Sequence, residues 1–426
     1  MRFIKRIQPN EIKAEYLDGE TIEFYLPNHI VNLSTFKVIY DGIADVYANA
    51  GVGFIQRFLP RLGQSIIEEL NIEINDYTIQ IKDYNLLYNI LNDASKEKDD
   101  VYSSKLDTIN YSFIDNNNVS QAFNDLVNYN ASSRAFLTSD QKYKYVINDW
   151  IGFLKDVKYL DCRNKKVKIS IKLAPKYICY KGLLTQSAIT TIINDTKSFH
   201  YRLSNVFADI EIISPDEGVK IENDVVYEDF EVVKGNLGSN KNTILMKKHK
   251  GNIKYLLGTF TDPNKEGDLE LQLAHCNSDT SVFKNKMVYD ISPNSTSTSK
   301  TFEINQDNIS PEYIQMLSHE NNLNNSIYFK RNGLNVKNSK YIINGQELCP
   351  YMDVNEIYFN AKQFMPMKRV KSLVSFQNEF FCHPMVVNQT DNNSMNLIEW
   401  EVSADNKAPN GGTPYLFICY EKSLKL

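Results

Sequence analysis

The sequence has little of what marks fibrous, low-complexity or disulfide-built chains. Its 426 residues include 17 Gly and 13 Pro, too few for a collagen-like or Pro/Gly-rich disordered protein. The six cysteines, at 162, 179, 276, 349, 382 and 419, are widely scattered, and no two form a CxxC pair. Zinc sites need clustered ligands and disulfide scaffolds are denser in cysteine. The thiols are therefore expected to be reduced and mostly buried, in a protein that folds inside a cell. No run approaches the roughly 20 apolar residues of a membrane span, and the N-terminal MRFIKRIQPNEIKAEY lacks the apolar stretch of a signal peptide. Charge of one sign is missing as well: the net charge is −5 and the pI is about 5.8. A protein that coats nucleic acid with its whole surface carries a basic stripe and a high pI, so that class is excluded, with room left for one short basic arm.

Catalytic signatures are missing too. There is no GxSxG elbow, GxGxxG turn or Walker loop. The histidines (29, 200, 249, 275, 319, 383) show no HxH or HExxH spacing. His275 adjoins Cys276 and His383 follows Cys382, yet a metal site at either pair would need two further ligands. Glu68 and Glu69 are sequence neighbours that point to different faces of a strand or helix, so they cannot flank one substrate bond. Trp150 and Trp400 read as core or interface anchors, and the sequons at Asn32, Asn118, Asn194 and Asn388 are what an Asn-rich chain produces by chance. The expectation is a non-enzyme with no catalytic, cofactor-binding or metal-ligating residues.

What is present is strand signal. The chain is 42% hydrophobic and 12% aromatic, with 26 Tyr and 22 Phe, ample for sizeable cores and biased toward strands. In Arg57–Tyr84, RFLPRLGQSIIEELNIEINDYTIQIKDY, Ile72 and Ile74 alternate with Asn71, Glu73 and Asn75. The alternation resumes with Ile79 and Ile81 after an Asn75-Asp76 turn. That pattern predicts a half-buried hairpin. TIEFYLP from Thr21 predicts a strand, and NLSTFKVIYDGIADVYA a strand, a turn at Asp41-Gly42 and another strand. Helices are expected at 84–95, at 120–130, and at 310–320, where Ser310 caps and Pro311 begins the helix. Polar loops are expected over 93–118 and 276–308. Val167, Ile169, Ile171 and Leu173 alternate with lysines and Ser170 in a further strand, and 207–216 forms another. After a junction near 214–240, strands recur: NTILMKK, IKYLLGTF, DLELQLAHC, a pair around Asn344-Gly345, then LVSFQ, FFCHPMVV, NLIEWEVSA and PYLFICYEK. The chain is too long for one sandwich of roughly 100–250 residues, and no short-period repeat suggests a solenoid or propeller. Two β-sandwiches in tandem are expected: an N-terminal arm over 1–20, one sandwich over 21–235 and a second over 236–426. The arm carries Arg2, Lys5 and Arg6, to touch a neighbouring subunit, the genome or inner-shell components, or simply to lie solvated.

Four segments carry a resemblance. FLPRLGQSIIEELNIEINDYTI is similar to an "IG-x-x-L-I" lead-in and alternating strand, and YVINDWIGFLKDVKYLDCRNKKVKISIKL to an "L-x-x-I-F-G-F-x-x-D" segment before a long strand. FKRNGLNVKNSKYIINGQELCPYMDVN is similar to "N-L-x-N-x-x-x-Y-L-N-x-x-x-x-P-Y-x-D", and the tail from Ser375 to Lys422 to closing strands. Together they resemble the double jelly-roll major capsid proteins of polinton (Maverick) elements, adintoviruses and polinton-like viruses. The likeness extends more distantly to virophages and nucleocytoplasmic large DNA viruses. The chain departs at Ile151, where the family usually has an aromatic, and is shorter than many relatives, so surface towers are expected to be reduced. The resemblance implies an all-β fold of two consecutive jelly rolls with short helices in loops. It also implies homotrimers that form pseudo-hexagonal tiles of an icosahedral shell around a DNA genome, with penton and minor capsid proteins as partners. Phe113, Tyr143 and Phe364 are candidate interface anchors. The alternative is a tandem-sandwich protein that binds carbohydrate or a receptor, with an exposed aromatic platform.

Overall fold

The computed structural model describes residues 2–44, 47–48, 54–57, 63–95, 143–175, 180–183, 201–214, 218–221, 224–237, 242–261, 331, 336–364, 373, 376–377, 380–387, 395–404 and 412–425. The expected loops at 93–118 (beyond 95) and 276–308, the helices at 120–130 and 310–320, and the DLELQLAHC strand lie outside these residues.

The first sandwich opens with β1 (Arg2–Ile7), β2 (Glu15–Leu17), β3 (Thr21–Tyr25), β4 (Ile30–Ala44), β5 (Tyr47–Ala48), β6 (Phe54–Arg57), β7 (Ile67–Ile74) and β8 (Tyr77–Lys82). Helix α1 (Tyr84–Ser95), β9 (Tyr143–Ile147), the single turn α2 (Phe153–Asp156), β10 (Tyr159–Asp161), β11 (Val167–Leu173), β12 (Tyr180–Leu183) and β13 (Tyr201–Ile213) complete it. The second sandwich has β14 (Asp224–Lys234), β15 (Asn242–Lys250), β16 (Asn252–Thr261), β17 (Val336–Ile343), β18 (Gln346–Glu347), helix α3 (Val354–Phe364), β19 (His383–Val386), β20 (Met395–Ala404) and β21 (Thr413–Lys425). The paired strands are antiparallel throughout.

The two sandwiches share one wiring. In the first, the sheets run β1-β13-β4-β10, with β2 beside β13 and β9 beside β4, and β3-β11-β7-β8. In the second they run β14-β21-β16-β19 and β15-β20-β17-β18. Taking β1, β3, β4, β7, β8, β10, β11 and β13 in chain order against β14 to β21, each sandwich pairs its strands 1-8-3-6 and 2-7-4-5. This is the double jelly roll. A small sheet β12-β6-β5 stands apart.

Local sequence explains the parts. In the hairpin β7–β8, Leu70, Ile72, Ile74, Ile79 and Ile81 point into the core while Asn75 turns with φ 51°, a conformation Asn tolerates better than most residues. The matching turn β17–β18 places Asn344 at φ 52° and Gly345 at φ 78°, the left-handed pair of a tight hairpin. Helix α3 starts on a reciprocal cap. Glu356 N–H donates to Asp353 Oδ1, and Asp353 N–H to Glu356 Oε2, both at 2.9 Å. Ile357, Tyr358 and Ala361 form its buried stripe.

Four expectations are corrected. Asp41-Gly42 is no turn: β4 runs straight through it, paired to β13 and β9 on its two sides. LVSFQ is no strand, since Leu373, Phe376 and Gln377 are helical. Residues 2–7 and 15–17 of the expected arm are strands beside β13. The boundary at 235/236 falls after β14, which pairs along its whole length with β21, so residues 224–234 hydrogen-bond into the second sandwich.

Candidate functional site

The described residues hold one built feature between the sandwiches, a joint at which α2 and β8 meet β14. Gly152 takes φ 65° and ψ −140°, backbone that side-chain-bearing residues avoid. A Cβ on it would sit 3.0 Å from the Glu228 carbonyl oxygen and 3.2 Å from Ile81 Cδ1. The ring of Phe153 meets Tyr227 edge-on at 5.1 Å. The Glu228 N–H donates to Asp156 Oδ2 at 2.8 Å, while burial at the joint pushes the Asp156 carboxyl above its usual range. Lys234 Nζ lies 2.9 Å from Asp83 Oδ1, a carboxylate almost wholly buried. The buried apolar side chains of both sandwiches consequently form one continuous cluster. Residues 151–153 of the second resembling segment lie at this joint, and Ile151 itself is buried.

The candidate chemistry disperses. Cys382 and His383 are both buried in the second core, and His275 and Cys276 lie outside the described residues. No group of three or more His, Cys, Asp or Glu converges among the described residues. Glu68 and Glu69 go to different partners, Asn85 Nδ2 on α1 at 3.3 Å and Gln80 Nε2 on β8 at 2.6 Å. Asn32 of the first sequon is buried and donates to Glu211 Oε2 at 2.7 Å. Cys162, Cys349, Cys382 and Cys419 are free and buried. Trp150 and Trp400 anchor the two cores, donating from Nε1 to the Phe36 carbonyl at 2.7 Å and to Ser339 Oγ at 2.9 Å.

One pairing escaped sequence reasoning because its members lie on different strands. Ser339 Oγ lies 2.8 Å from His383 Nδ1, the spacing of a nucleophile and its base. Both residues are 0% exposed, so no substrate reaches them. Since Trp400 donates to Ser339, the hydroxyl proton falls to Nδ1 and the ring proton to Nε2, which finds no hydrogen-bond partner. Burial drives the His383 pKa down to about 3.

At the opposite flank of the second sandwich, edge strands β14 and β15 are tied by ion pairs. A cleft of about 550 Å³ lies there. His249 Nδ1 and Lys247 Nζ approach Glu231 Oε2 at 3.4 and 3.5 Å, and Lys422 reaches Asp229 at 3.0 Å. His249, ahead of Lys247, holds the Glu231 carboxyl below its usual range. Each carboxylate is already met by a cation, so the cleft reads as a seam that closes the edge.

The basic residues expected in an arm lie on β1, which pairs with β13 from Arg2 to Ile7. Arg6 forks onto Asp209 at 2.9 and 3.2 Å and stacks its guanidinium 3.7 Å from the Phe207 ring centre. Phe113 lies outside the described residues, as do the side chains of Tyr143 in β9 and Phe364 in α3.

Two jelly rolls in one chain, wired alike, define an architecture that solved viral major capsid proteins share. A chain of the PBCV-1 virus capsid superposes with a TM-score of 0.55 at 11% identity, covering 100% of this chain and 94% of that one. For the Sputnik virophage the values are 0.55, 12%, 100% and 86%. For the Faustovirus major capsid protein they are 0.51, 9%, 100% and 90%. Compared with known family models and with curated proteins, the sequence matches none. At such identities the likeness is one of fold.

Proposed function

We propose that the chain is the major capsid protein of a DNA virus, of the polinton type that its four sequence segments resemble. It assembles as a homotrimer whose six sandwiches form a pseudo-hexagonal tile of an icosahedral shell. The observation that carries this is the repeated wiring: two sandwiches with one strand order, fixed to each other through Gly152 and β14. Three such chains supply six similar lobes, and a ring of similar lobes tiles a shell through one repeated contact. Interfaces of that obligate kind bury on the order of 2,000–5,000 Å². Its function is geometry, its place the virion, and its partners are copies of itself, penton or minor capsid proteins, and genome or inner-shell components. Catalysis has no part in this reading. Size-exclusion chromatography with light scattering and negative-stain microscopy test it: stable trimers of hexagonal outline are expected. A monomer that binds a glycan array would instead favour the carbohydrate-binding alternative.

A further inference from the structure

The shared wiring makes β1 and β14 occupants of the same position, the first strand of each sandwich, each paired to the last strand. Their surroundings differ. On β14, Val225, Tyr227 and Phe230 are buried, Tyr227 and Phe230 against α2 and Gly152 of the first sandwich. On β1, Phe3 and Ile4 stand 46% and 68% exposed. Strand β1 thus holds the place of a joint strand with its side chains largely exposed.

The other half of that joint also recurs. The face that receives β14 is made by the end of β8 and by α2, the helical turn before β10. Its counterpart in the second sandwich is the end of β18 with the helical turn at Phe376 and Gln377 before β19. Beyond β18 stands Tyr351, 53% exposed and held in place by a bond from its hydroxyl to Glu401 at 2.9 Å and by Lys340, 4.2 Å from its ring centre. Near it in sequence are Glu347, which pairs with Lys340 at 2.7 Å, and Asp353 and Glu356, which cap α3. Strand β1, RFIKRI, brings apolar side chains flanked by cations.

We infer that β1 of one copy docks against the end of β18 and the turn before β19 of a second copy, repeating between chains the joint that α2, β8 and β14 make within one. This rests on the trimer reading above and names the surfaces that close it. The contact is head-to-tail: each copy gives β1 and receives another's, so the ring closes when the rotation does.

The test uses the full chain with two variants, Ile4→Glu on the donating strand and Tyr351→Arg on the receiving face. Both sites are exposed, and thermal melts of the isolated variants check that each folds. Light scattering should show trimer dissociation at protein concentrations at least tenfold higher for either variant than for the unmodified chain. Mixing the two variants should produce a dimer. The β1 of Tyr351→Arg is intact, and so is the receiving face of Ile4→Glu, so one good joint forms per pair. The control Tyr77→Arg alters an equally exposed aromatic at the far end of β8 and should leave the trimer intact. Trimers unaffected by Ile4→Glu and Tyr351→Arg overturn this docking and leave the trimer reading standing. Two monomeric variants that fail to join when mixed overturn the head-to-tail arrangement. An unmodified chain that stays monomeric at all concentrations overturns the trimer reading, and the docking with it.

Discussion

His383 offers a measurement of how dry and how fixed the second core is. In the folded chain its pKa is driven down to about 3 from an ordinary 6.5 by burial. In the unfolded chain the ring regains the ordinary value. A depressed histidine contributes stability that is fully present above pH 6.5 and is lost as the pH falls toward 3, because only the unfolded state takes up the proton in that window. The linkage slope is about 1.4 kcal/mol per pH unit for one proton. Half of the unfolded rings are already protonated at pH 6.5, so between pH 6.5 and 4.5 the loss from this one residue is about 2.3 kcal/mol, a large share of the ~5–15 kcal/mol that holds an ordinary domain together. Carboxylates titrate in the same range, so the comparison must be differential. His383→Asn keeps an acceptor for Ser339 and removes the titration. Urea unfolding of both proteins at pH 6.5, 5.5 and 4.5 should give a wild-type slope steeper by about one proton than the variant's. The variant is expected to be the less stable at neutral pH. Equal slopes, or a carbon-13-labelled His383 that titrates near pH 6.5 in the folded protein, would refute the reasoning.

Three further outcomes follow from particular contacts. Gly152→Ala forces a side chain into glycine-only backbone and against the Glu228 carbonyl 3.0 Å away; a loss of about 1–3 kcal/mol is expected, read by calorimetry, with the two sandwiches melting less cooperatively. Gly258→Ala, on β16, would place a Cβ 2.5 Å from Trp400 Cζ2 and 2.6 Å from the Tyr341 hydroxyl. Overpacking between rings this buried should cost about 1–3 kcal/mol and change Trp fluorescence. Cys162, Cys349, Cys382 and Cys419 should resist alkylation at pH 8 in the folded chain and react in denaturant, as peptide mapping would show. Burial pushes the Cys162 thiol up to about 12, and Cys349 and Cys419 are raised for the same reason.

The strands that the sequence displayed best are those with one wet face. β7, β8, β11 and β20 alternate because one side of each meets the core and the other meets water, and period-two patterning survives intact. Where turn-favouring residues fall inside a paired strand, the pattern misleads. β4 runs through Asp41-Gly42, whose residue types favour a turn, because that stretch is paired to β13 and β9 and Asn205 Nδ2 donates to Asp41 Oδ2 at 2.7 Å. Helix α3 was legible and overlooked: Asp353 and Glu356 have capping-box spacing, with Ile357, Tyr358 and Ala361 on one stripe. The Ser339–His383 pair could not have been read, since 44 residues separate its members and only the β16–β19 pairing and the Trp400 bond bring it together.

The repeated wiring leaves no repeat in the sequence, and the reason bears on function. A jelly roll demands only alternation and turns, and many side chains satisfy both, so two copies of the wiring need share no residues. The two first strands differ in their surroundings and in their charge. β14 is acidic and half-buried, with Glu228, Asp229 and Glu231 meeting lysines of its own chain, while β1 is basic and exposed. Had the two strands faced the same environment, their charges would have no cause to be opposite. On the docking inferred above, the sign of the charge on a first strand separates a joint made within the chain from one left for a partner. Exchanging RFIKRI for the start of β14 should leave the first sandwich folded, since the β1–β13 pairing is made by backbone atoms, yet abolish assembly; assembly that persists would show that charge does not set the distinction.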